Sequence, residues 1–137
     1  MSYSIALKLF QTNPSTYYRV VEQTVWNYAN GGTWSDTDGI KTLTMGGSGT
    51  SGTIRFRSAE NGKSFIVAVG VHNYKRWVDI VPNPTNDQTG MIVNGQYYNN
   101  GARSAQREAQ LATYTNGNIT VTYTVTDGNT LAANIIV

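Results

Sequence analysis

The chain has 137 residues, of which 13% are charged, and its ten lysines and arginines exceed its eight acidic residues by a net charge of +2 at pH 7. This share of charged residues is about half the usual one, which excludes a coiled coil or a charge-rich disordered chain. So small a net charge also argues against a nucleic acid or an anionic membrane as the partner. The length predicts one domain spanning residues 1–137.

The chain contains no cysteine and one histidine, His72. Disulfides and thiolate metal sites are therefore excluded, and we expect neither a metal nor a cofactor. No secretory signal is visible at the start, and the longest apolar run, Ile66–Val71, is far shorter than a membrane span. We expect a soluble, cytoplasmic protein that does not insert into membranes.

Polar uncharged residues dominate the composition. Threonine, asparagine, serine and glycine number 18, 14, 9 and 14 residues, which is about two fifths of the chain, and nine tyrosines raise the aromatic share to 11%. Such a surface offers hydroxyls, amides and backbone groups rather than charges. The composition favours a β-rich protein that binds a neutral, polar ligand.

Alternation of apolar and polar residues with a period of two predicts strands through the first part of the chain. Ser64–His72 is the most apolar of them and is expected at the centre of a sheet. Gly46–Gly49 separates two strands and indicates a hairpin with a loose glycine loop. The predicted strands are Tyr3–Phe10, Tyr17–Trp26, Ile40–Met45, Thr50–Arg57, Ser64–His72 and Lys75–Val81.

The pattern changes after Pro82, where prolines, asparagines and glycines indicate irregular backbone up to Gln110. Within this region only Ser104–Leu111 has the composition of a helix, with Ser104 as its expected cap. Strands return at Thr113–Tyr114, Asn118–Thr126 and Leu131–Val137. Roughly ten short strands and one helical connection predict a β-sandwich with a helical excursion.

The residues of common catalytic sites are missing from the pattern. A glycosidase needs two opposed carboxylates, but Glu22 and Asp79 are the only acids predicted on strands and no spacing pairs them. Gly47-Ser48-Gly49 lacks the flanking residues of a nucleophile elbow, and the loop lacks the lysine of a phosphate-binding loop. We therefore predict no catalytic residue and expect a binding protein.

Two regions contain the groups that a neutral, hydroxyl-rich ligand requires, namely donors and acceptors beside an aromatic surface. The first combines Ala29-Asn30, the loop Gly46–Gly52 and His72-Asn73-Tyr74, and the second combines Trp77, Asp79, Ile80, Arg103 and Tyr114. Structural interpretations stay open for both, because such loops are often plain turns and His72 could be a hydrogen-bonded structural histidine. Asp79 and Arg103 could equally form a structural ion pair.

Three long segments resemble the signature stretches of the fungal fruit-body lectins: Thr24–Trp34 (TVWNYANGGTW), Leu43–Thr53 (LTMGGSGTSGT) and Val69–Val81 (VGVHNYKRWVDIV). Gln11–Pro14 and Tyr123–Val137 fit the same family, so the likeness runs from end to end. Within the family, the lectins of bolete mushrooms are the nearer group and that of the button mushroom is more distant.

The resemblance implies a fold and a function. The fold would be mainly β, an α/β sandwich of two antiparallel sheets joined by a helix–loop–helix and similar to the actinoporin toxins. The family assembles as homotetramers, lacks enzymatic activity and binds glycans and glycoproteins at two sites per protomer. One site takes the Thomsen–Friedenreich disaccharide, galactose β1-3 linked to N-acetylgalactosamine, and the other takes N-acetylglucosamine, as at the ends of N-glycans.

The family's site residues can be carried over position by position. The galactosyl site would comprise Ala29, Ser48, Gly49 and Asn73, bordered by His72 and Tyr74. The N-acetylglucosamine site would comprise Asp79, Ile80, Arg103 and Tyr114. Family members often have threonine two residues after that isoleucine, where this chain has Pro82, which removes a hydroxyl and a backbone donor.

The resemblance also implies a defensive or storage role in the fruiting body. Two alternatives to an active lectin stay open, a membrane-active protein of the actinoporin type and a storage protein with vestigial sugar sites. Membrane insertion of that type needs an amphipathic N-terminal helix, whereas Ser2–Phe10 alternates as a strand.

Overall fold

The computed structural model describes residues 1–26 and 31–137. Over these residues the chain forms ten strands and two short helices. In chain order they are β1 (Tyr3–Phe10), β2 (Tyr18–Trp26), β3 (Gly32–Thr37), β4 (Ile40–Met45), β5 (Ser51–Ser58), β6 (Ser64–His72), β7 (Lys75–Pro82), α1 (Gly90–Gly95), α2 (Ser104–Ala109), β8 (Thr113–Asn116), β9 (Ile119–Val125) and β10 (Thr130–Ile136).

The strands form two sheets, which confirms the mainly β sandwich. One sheet has six strands in the order β3-β4-β1-β10-β9-β8, and the other has four in the order β2-β5-β6-β7. In one respect the expectation of two antiparallel sheets was wrong, because β1 and β10 run parallel with Ile5 opposite Leu131. These strands come from opposite ends of the chain, so no hairpin imposes an antiparallel direction on them.

The main core lies between the two sheets, where alternate side chains of each strand meet. Tyr3, Ile5 and Leu7 of β1 are buried there, as their period of two predicted. The four-stranded sheet contributes Ile54, Phe56, Val67, Val69, Val78 and Ile80 to the same core.

A second, smaller core covers the other face of the four-stranded sheet. There Ile66, Ala68, Trp77 and Val81 pack against Val93, Tyr97 and Tyr98 of the segment that contains the two helices. Strand β6 is therefore buried on both faces, which explains its continuous apolar sequence. Its predicted central place is confirmed, since it lies between β5 and β7.

The helical segment differs from the prediction in two ways. Helix α1 was not predicted from its residues, because its sequence GMIVNG contains two glycines and no helical periodicity. Ser104 was expected to cap α2, but Arg103 is the N-cap residue and the Ser104 hydroxyl donates to the Gly101 carbonyl at 3.0 Å. In the described part of the chain, no helix has the length and the apolar character needed to span a membrane.

The predicted β4–β5 hairpin was wrong. Strand β4 pairs with β1 and with β3, which was not predicted, whereas β5 pairs with β2 and β6. The glycine loop thus crosses from one sheet to the other instead of turning within one. This crossing brings the loop to the end of the sandwich, beside the turn between β6 and β7.

Candidate functional site

A polar pocket of about 360 Å³ opens at this end of the sandwich, between the β4–β5 loop and the β6–β7 turn. Its lining combines hydroxyl, amide, imidazole and guanidinium groups with two tyrosine rings, and no carboxylate is among the described lining residues. They are Ser48, Gly49, His72, Asn73, Tyr74, Tyr98, Asn99 and Arg107.

The β6–β7 turn holds its two central residues in a left-handed backbone conformation. Asn73 and Tyr74 have φ of 48° and 66°, between the paired residues His72 and Lys75. Positive φ at both positions defines the type I′ turn that suits a two-residue hairpin, and asparagine adopts it readily. The Tyr74 N–H donates to the Ser48 hydroxyl at 3.0 Å, which leaves the proton of that hydroxyl for a ligand.

Backbone and side-chain hydrogen bonds fix the glycine loop on the other wall. Gly49 has φ of 104°, which a residue with a side chain adopts only under strain. Its N–H donates to the Val71 carbonyl at 2.7 Å, and its own carbonyl accepts from the Tyr98 hydroxyl at 2.9 Å. The loop therefore presents a bare, fixed backbone surface to the pocket.

Tyr98 forms part of the pocket lining, and its ring contacts two other side chains. Its ring stacks on Trp26 with 4.9 Å between centroids, and the Arg107 guanidinium lies 5.2 Å from the Tyr98 ring centroid. The Arg107 Nε is buried and has no hydrogen-bond partner among the described residues. Arginine over a tyrosine ring is a favourable cation–π arrangement that fixes both groups.

His72 lies at the rim with its ring beside Asn73. Asn73 Nδ2 and His72 Nε2 are 3.3 Å apart, and the Gln110 amide donates to the His72 carbonyl at 2.5 Å. Burial, followed by the positive charge of Arg107, lowers the pKa of His72 below its ordinary value of 6.5. The imidazole is therefore neutral at pH 7 and can accept the amide hydrogen of Asn73.

The structure thus brings together Ser48, Gly49, His72 and Asn73, four of the five residues predicted for the first site. The fifth, Ala29, lies outside the described residues. Tyr98, Asn99 and Arg107 were missed, because they belong to the helical segment, and nothing in its sequence indicates which of its side chains reach the glycine loop.

The second predicted region is centred on Asp79, which is only 3% exposed. Its Oδ2 accepts from the Tyr97 hydroxyl at 2.6 Å and lies 3.4 Å from Arg103 Nη1, while its Oδ1 accepts from the Ile80 N–H at 2.8 Å. Arg103 Nε also donates to Gln96 Oε1 at 2.9 Å. Burial raises the pKa of Asp79, and these hydrogen bonds and the guanidinium oppose that rise.

The other two residues predicted for the second site are Ile80 and Tyr114, which lie in different surroundings. The Ile80 side chain is fully buried in the core between the sheets, and its carbonyl accepts from Asn116 Nδ2 at 3.1 Å. Tyr114 packs partly against the same core. The structure therefore brings Asp79 and Arg103 into direct contact, as the ion-pair interpretation predicted, and adds Tyr97 and Gln96, which the sequence did not indicate.

Pro82 ends β7 opposite Phe65. Because β7 is the edge strand of its sheet, a proline without an N–H is tolerated there. Pro82 lies two residues from Ile80 and therefore on the same face of the strand. That face is the one on which Ile80 is buried between the sheets, so it is the backbone at position 82, at the free edge of β7, that could contact a ligand held along this edge.

Both regions offer hydrogen-bonding groups on surfaces that are neutral or whose charges are paired. Among the described residues, no cluster of three histidines or acidic residues could hold a metal. A polar pocket walled by fixed loops suits the binding of a small polar ligand and indicates a binding protein. The comparisons with known proteins agree with this class. The model of the fungal fruit body lectin family matches residues 1–135, and the chain belongs to that family, whose members bind carbohydrate.

Relatives of known structure or sequence share nearly the whole chain. It is 53% identical to the Boletus edulis lectin over 142 aligned positions, which cover 99% of each protein. The crystal structure of the wild-type Xerocomus chrysenteron lectin superimposes with a TM-score of 0.95 at 54% identity, covering 99% of each chain. Nakanori, described as a lipid-binding protein, shares the fold alone, with a TM-score of 0.52 at 9% identity over 98% of this chain and 70% of its own.

Proposed function

We propose that this lectin binds galactose β1-3 N-acetylgalactosamine in the pocket between the β4–β5 loop and the β6–β7 turn. The observation that carries the proposal is the meeting of Ser48 and Asn73 across that pocket, held by the hydrogen bond from Tyr74 N–H to Ser48. The Tyr74 side chain is 76% exposed and provides an aromatic surface at the rim. Polar groups beside an aromatic face are what a sugar requires.

Each residue has a separate part in this proposal. Ser48 donates its hydroxyl proton, and Asn73 offers an amide donor and acceptor on the other wall. Gly49 contributes close approach and the second lone pair of its carbonyl, because its N–H is already bonded to Val71. His72 borders the sugar as a neutral group, and the backbone of Ala29 completes the set in the proposal.

We further propose that the second region binds N-acetylglucosamine along the edge of β7. The Arg103 side chain is 27% exposed and the Asp79 side chain 4%, so Arg103 reaches the sugar while Asp79 holds Arg103 in place. Tyr114 adds a partly exposed ring, and Ile80 positions Asn116 and Asp79 through its backbone. Pro82 lacks the hydroxyl and N–H donor that a threonine would offer, which weakens this site without removing it.

The proposed activity is multivalent binding without catalysis. Single sugar sites are weak, and a homotetramer that engages several glycans at once gains roughly a hundred- to ten-thousand-fold in avidity. Glycoproteins carrying the disaccharide or ending in N-acetylglucosamine would be the partners. A defensive role of a cytoplasmic protein in the fungal fruiting body is part of the same proposal.

Titration calorimetry with each sugar separately tests this proposal, with mannose as the control sugar. We expect saturable heat with the disaccharide and with N-acetylglucosamine, and none with mannose. Sedimentation of the same sample tests the tetramer. Absence of heat with both sugars would contradict the assignment and favour a storage protein with vestigial sites, and dye release from vesicles would favour the membrane-active alternative.

A further inference from the structure

A network of buried polar side chains lies beneath the glycine loop, on the face of the four-stranded sheet that packs against the helical segment. We call it the buried network, and its members are Thr24, Ser51, Thr53, Asn94 and Tyr98, each at most 7% exposed. A buried polar group that loses its hydrogen-bond partner destabilises the fold. The position of each member is therefore constrained by its neighbours in the network.

Helix α1 lies directly on the sheet, which brings Asn94 into the buried network. A Cβ atom at Gly90, the first residue of α1, would lie 2.6 Å from Thr53 Oγ1, so this close approach requires glycine there. The Gly90 N–H donates to Glu22 Oε1 at 2.6 Å and ties the start of the helix to β2. Asn94 follows about one helical turn later and is fully buried. The helix therefore fixes the Asn94 amide against β2 and β5.

Ser51 is the centre of the buried network. Its Oγ lies 2.7 Å from Asn94 Oδ1 and 2.6 Å from the hydroxyl oxygen of Tyr98. The Tyr98 hydroxyl donates to the Gly49 carbonyl at 2.9 Å. On the far side, Asn94 Nδ2 lies 3.3 Å from Thr24 Oγ1. Hydrogen bonds thus lead from β2 through Asn94, Ser51 and Tyr98 to the glycine loop that forms one wall of the pocket.

The supply of hydroxyl protons sets the direction of these bonds. Ser51 and Tyr98 have one proton each, and the Tyr98 proton is the one that reaches the Gly49 carbonyl. In the contact between the two hydroxyls, Ser51 must then be the donor. A half-turn of the Asn94 side-chain amide would let its nitrogen donate to Ser51 and its oxygen accept from the Thr24 hydroxyl. Every group would then have a partner, and Ser51 would hold the Tyr98 oxygen while the Tyr98 proton points to Gly49.

We propose that Ser51 is a positioning residue of the disaccharide pocket, which acts through the Tyr98 hydroxyl on the Gly49 carbonyl. Ser51 is fully buried and is not among the residues that line the pocket, so it does not contact the sugar. Its hydrogen bond keeps Tyr98 aimed at one lone pair of the Gly49 carbonyl and leaves the other directed into the pocket. This inference rests on the proposed binding of the disaccharide and adds to it a residue outside the pocket lining.

Calorimetry with the disaccharide on the full chain tests this role with two single variants and their combination. Tyr98→Phe removes the hydroxyl and keeps the ring that stacks on Trp26, so disaccharide affinity should fall about tenfold. Ser51→Ala removes the partner of that hydroxyl and should lower the affinity roughly threefold, because the bond from Tyr98 to Gly49 remains but is less well fixed. Because Ser51 acts through Tyr98, the double variant should bind as Tyr98→Phe does.

The matched control is Tyr123→Phe. Tyr123 is 4% exposed and its hydroxyl donates to the Trp77 carbonyl at 2.8 Å, so this variant also loses a buried bond from tyrosine to a backbone carbonyl. It should lower the melting temperature as Tyr98→Phe does and leave disaccharide affinity unchanged, because Trp77 does not line the pocket. The affinity for N-acetylglucosamine should stay constant in Ser51→Ala and in Tyr98→Phe.

Three results would overturn the inference alone when the native chain binds the disaccharide: equal affinity of Ser51→Ala and the native chain, a further loss when Ser51→Ala is added to Tyr98→Phe, or an equal loss in Tyr123→Phe. The second result would mean that Ser51 acts by another route, and the third that affinity follows overall stability. Absence of heat with the native chain would overturn the proposed disaccharide function and this inference with it.

Discussion

The two regions proposed to bind sugars are built in opposite ways. The pocket at the end of the sandwich is formed by loops, and its polar groups face solvent across an open space. The β7 region is centred on Asp79, which is buried and already bonded to Tyr97, Ile80 and Arg103. The Arg103 side chain is 27% exposed there.

Substitutions in the loop pocket should change mainly sugar affinity, whereas substitutions in the β7 region should also change the stability of the fold. Removing a solvent-facing hydroxyl or amide leaves no buried group without a partner, so changes in the loop pocket should alter mainly the affinity. Removing a buried carboxylate leaves its donors unsatisfied, which destabilises the fold. Substitutions in the two regions should therefore have different consequences.

The largest effect is expected from Asp79→Ala. Tyr97, Arg103 and the Ile80 N–H would lose their shared acceptor inside the protein, and loss of one partner of a buried pair destabilises by about 3–5 kcal/mol. Denaturant unfolding at a fixed protein concentration measures the change, with Asp36→Ala of the exposed Lys41 pair as a control of negligible effect. An unchanged unfolding free energy in Asp79→Ala would show that the Asp79–Arg103 contact does not stabilise the fold.

The next largest effect is the loss of disaccharide binding by Ser48→Ala combined with Asn73→Ala. Both walls of the pocket lose their side-chain hydrogen bonds, and two lost bonds correspond to a fall of roughly a hundredfold in affinity. Binding of N-acetylglucosamine should stay as in the native chain, whereas the unfolding free energy should fall by about 1–2 kcal/mol, because alanine is strained at the left-handed φ of residue 73. Retained disaccharide binding in calorimetry would refute the site.

A smaller effect is expected from pH. The pKa of His72 lies below 6.5, so the ring is neutral from pH 8 to pH 7 and takes up a proton only in more acidic solution. Protonated Nε2 cannot accept from Asn73, and the amide must turn, so disaccharide affinity should fall several-fold below this pKa. The unfolded chain takes up the same proton nearer pH 6.5, so stability should also decline as pH falls below that value.

The control for this pH dependence is His72→Gln, whose disaccharide affinity should stay constant over the same range. Calorimetry at pH 8, 7, 6 and 5 compares the two proteins. An equal loss of disaccharide affinity at acidic pH in both proteins would show that another group causes the effect.

The smallest effect is expected from Pro82→Thr. The substitution restores a hydroxyl and an N–H at the edge of β7 and should raise N-acetylglucosamine affinity by a few-fold, because one hydrogen bond contributes about 1 kcal/mol. Disaccharide affinity is the internal control and should not change. Unaltered affinity for both sugars would show that position 82 does not contact the ligand.

Much of the fold follows from local sequence, and the predictions that were wrong have physical causes. Alternation in Tyr3–Phe10 gave the bounds and the buried face of β1 correctly, because a strand buried on one face shows a period of two. The glycine loop was assigned to a hairpin because loop composition does not tell which strands pair. Pairing depends on the whole topology, as the parallel neighbours β1 and β10 show.

The loop pocket was predicted in part, because several of its residues lie in turns that the local sequence indicates. Ser48, Gly49, His72 and Asn73 lie in two turns that the sequence indicates, and these turns meet at one end of the sandwich. Tyr98 and Arg107 come from the helical segment, whose contacts with the loop depend on long-range packing. Tyr97 as the partner of Asp79 could not be foreseen either, since no local pattern links residues 18 positions apart.

The most direct test of the central claim, that the two regions bind different sugars independently, is a titration of the disaccharide into protein saturated with N-acetylglucosamine. The account predicts the same dissociation constant, heat and stoichiometry as in the absence of N-acetylglucosamine. Loss or weakening of the disaccharide heat would show that both sugars compete for one site and would contradict the account.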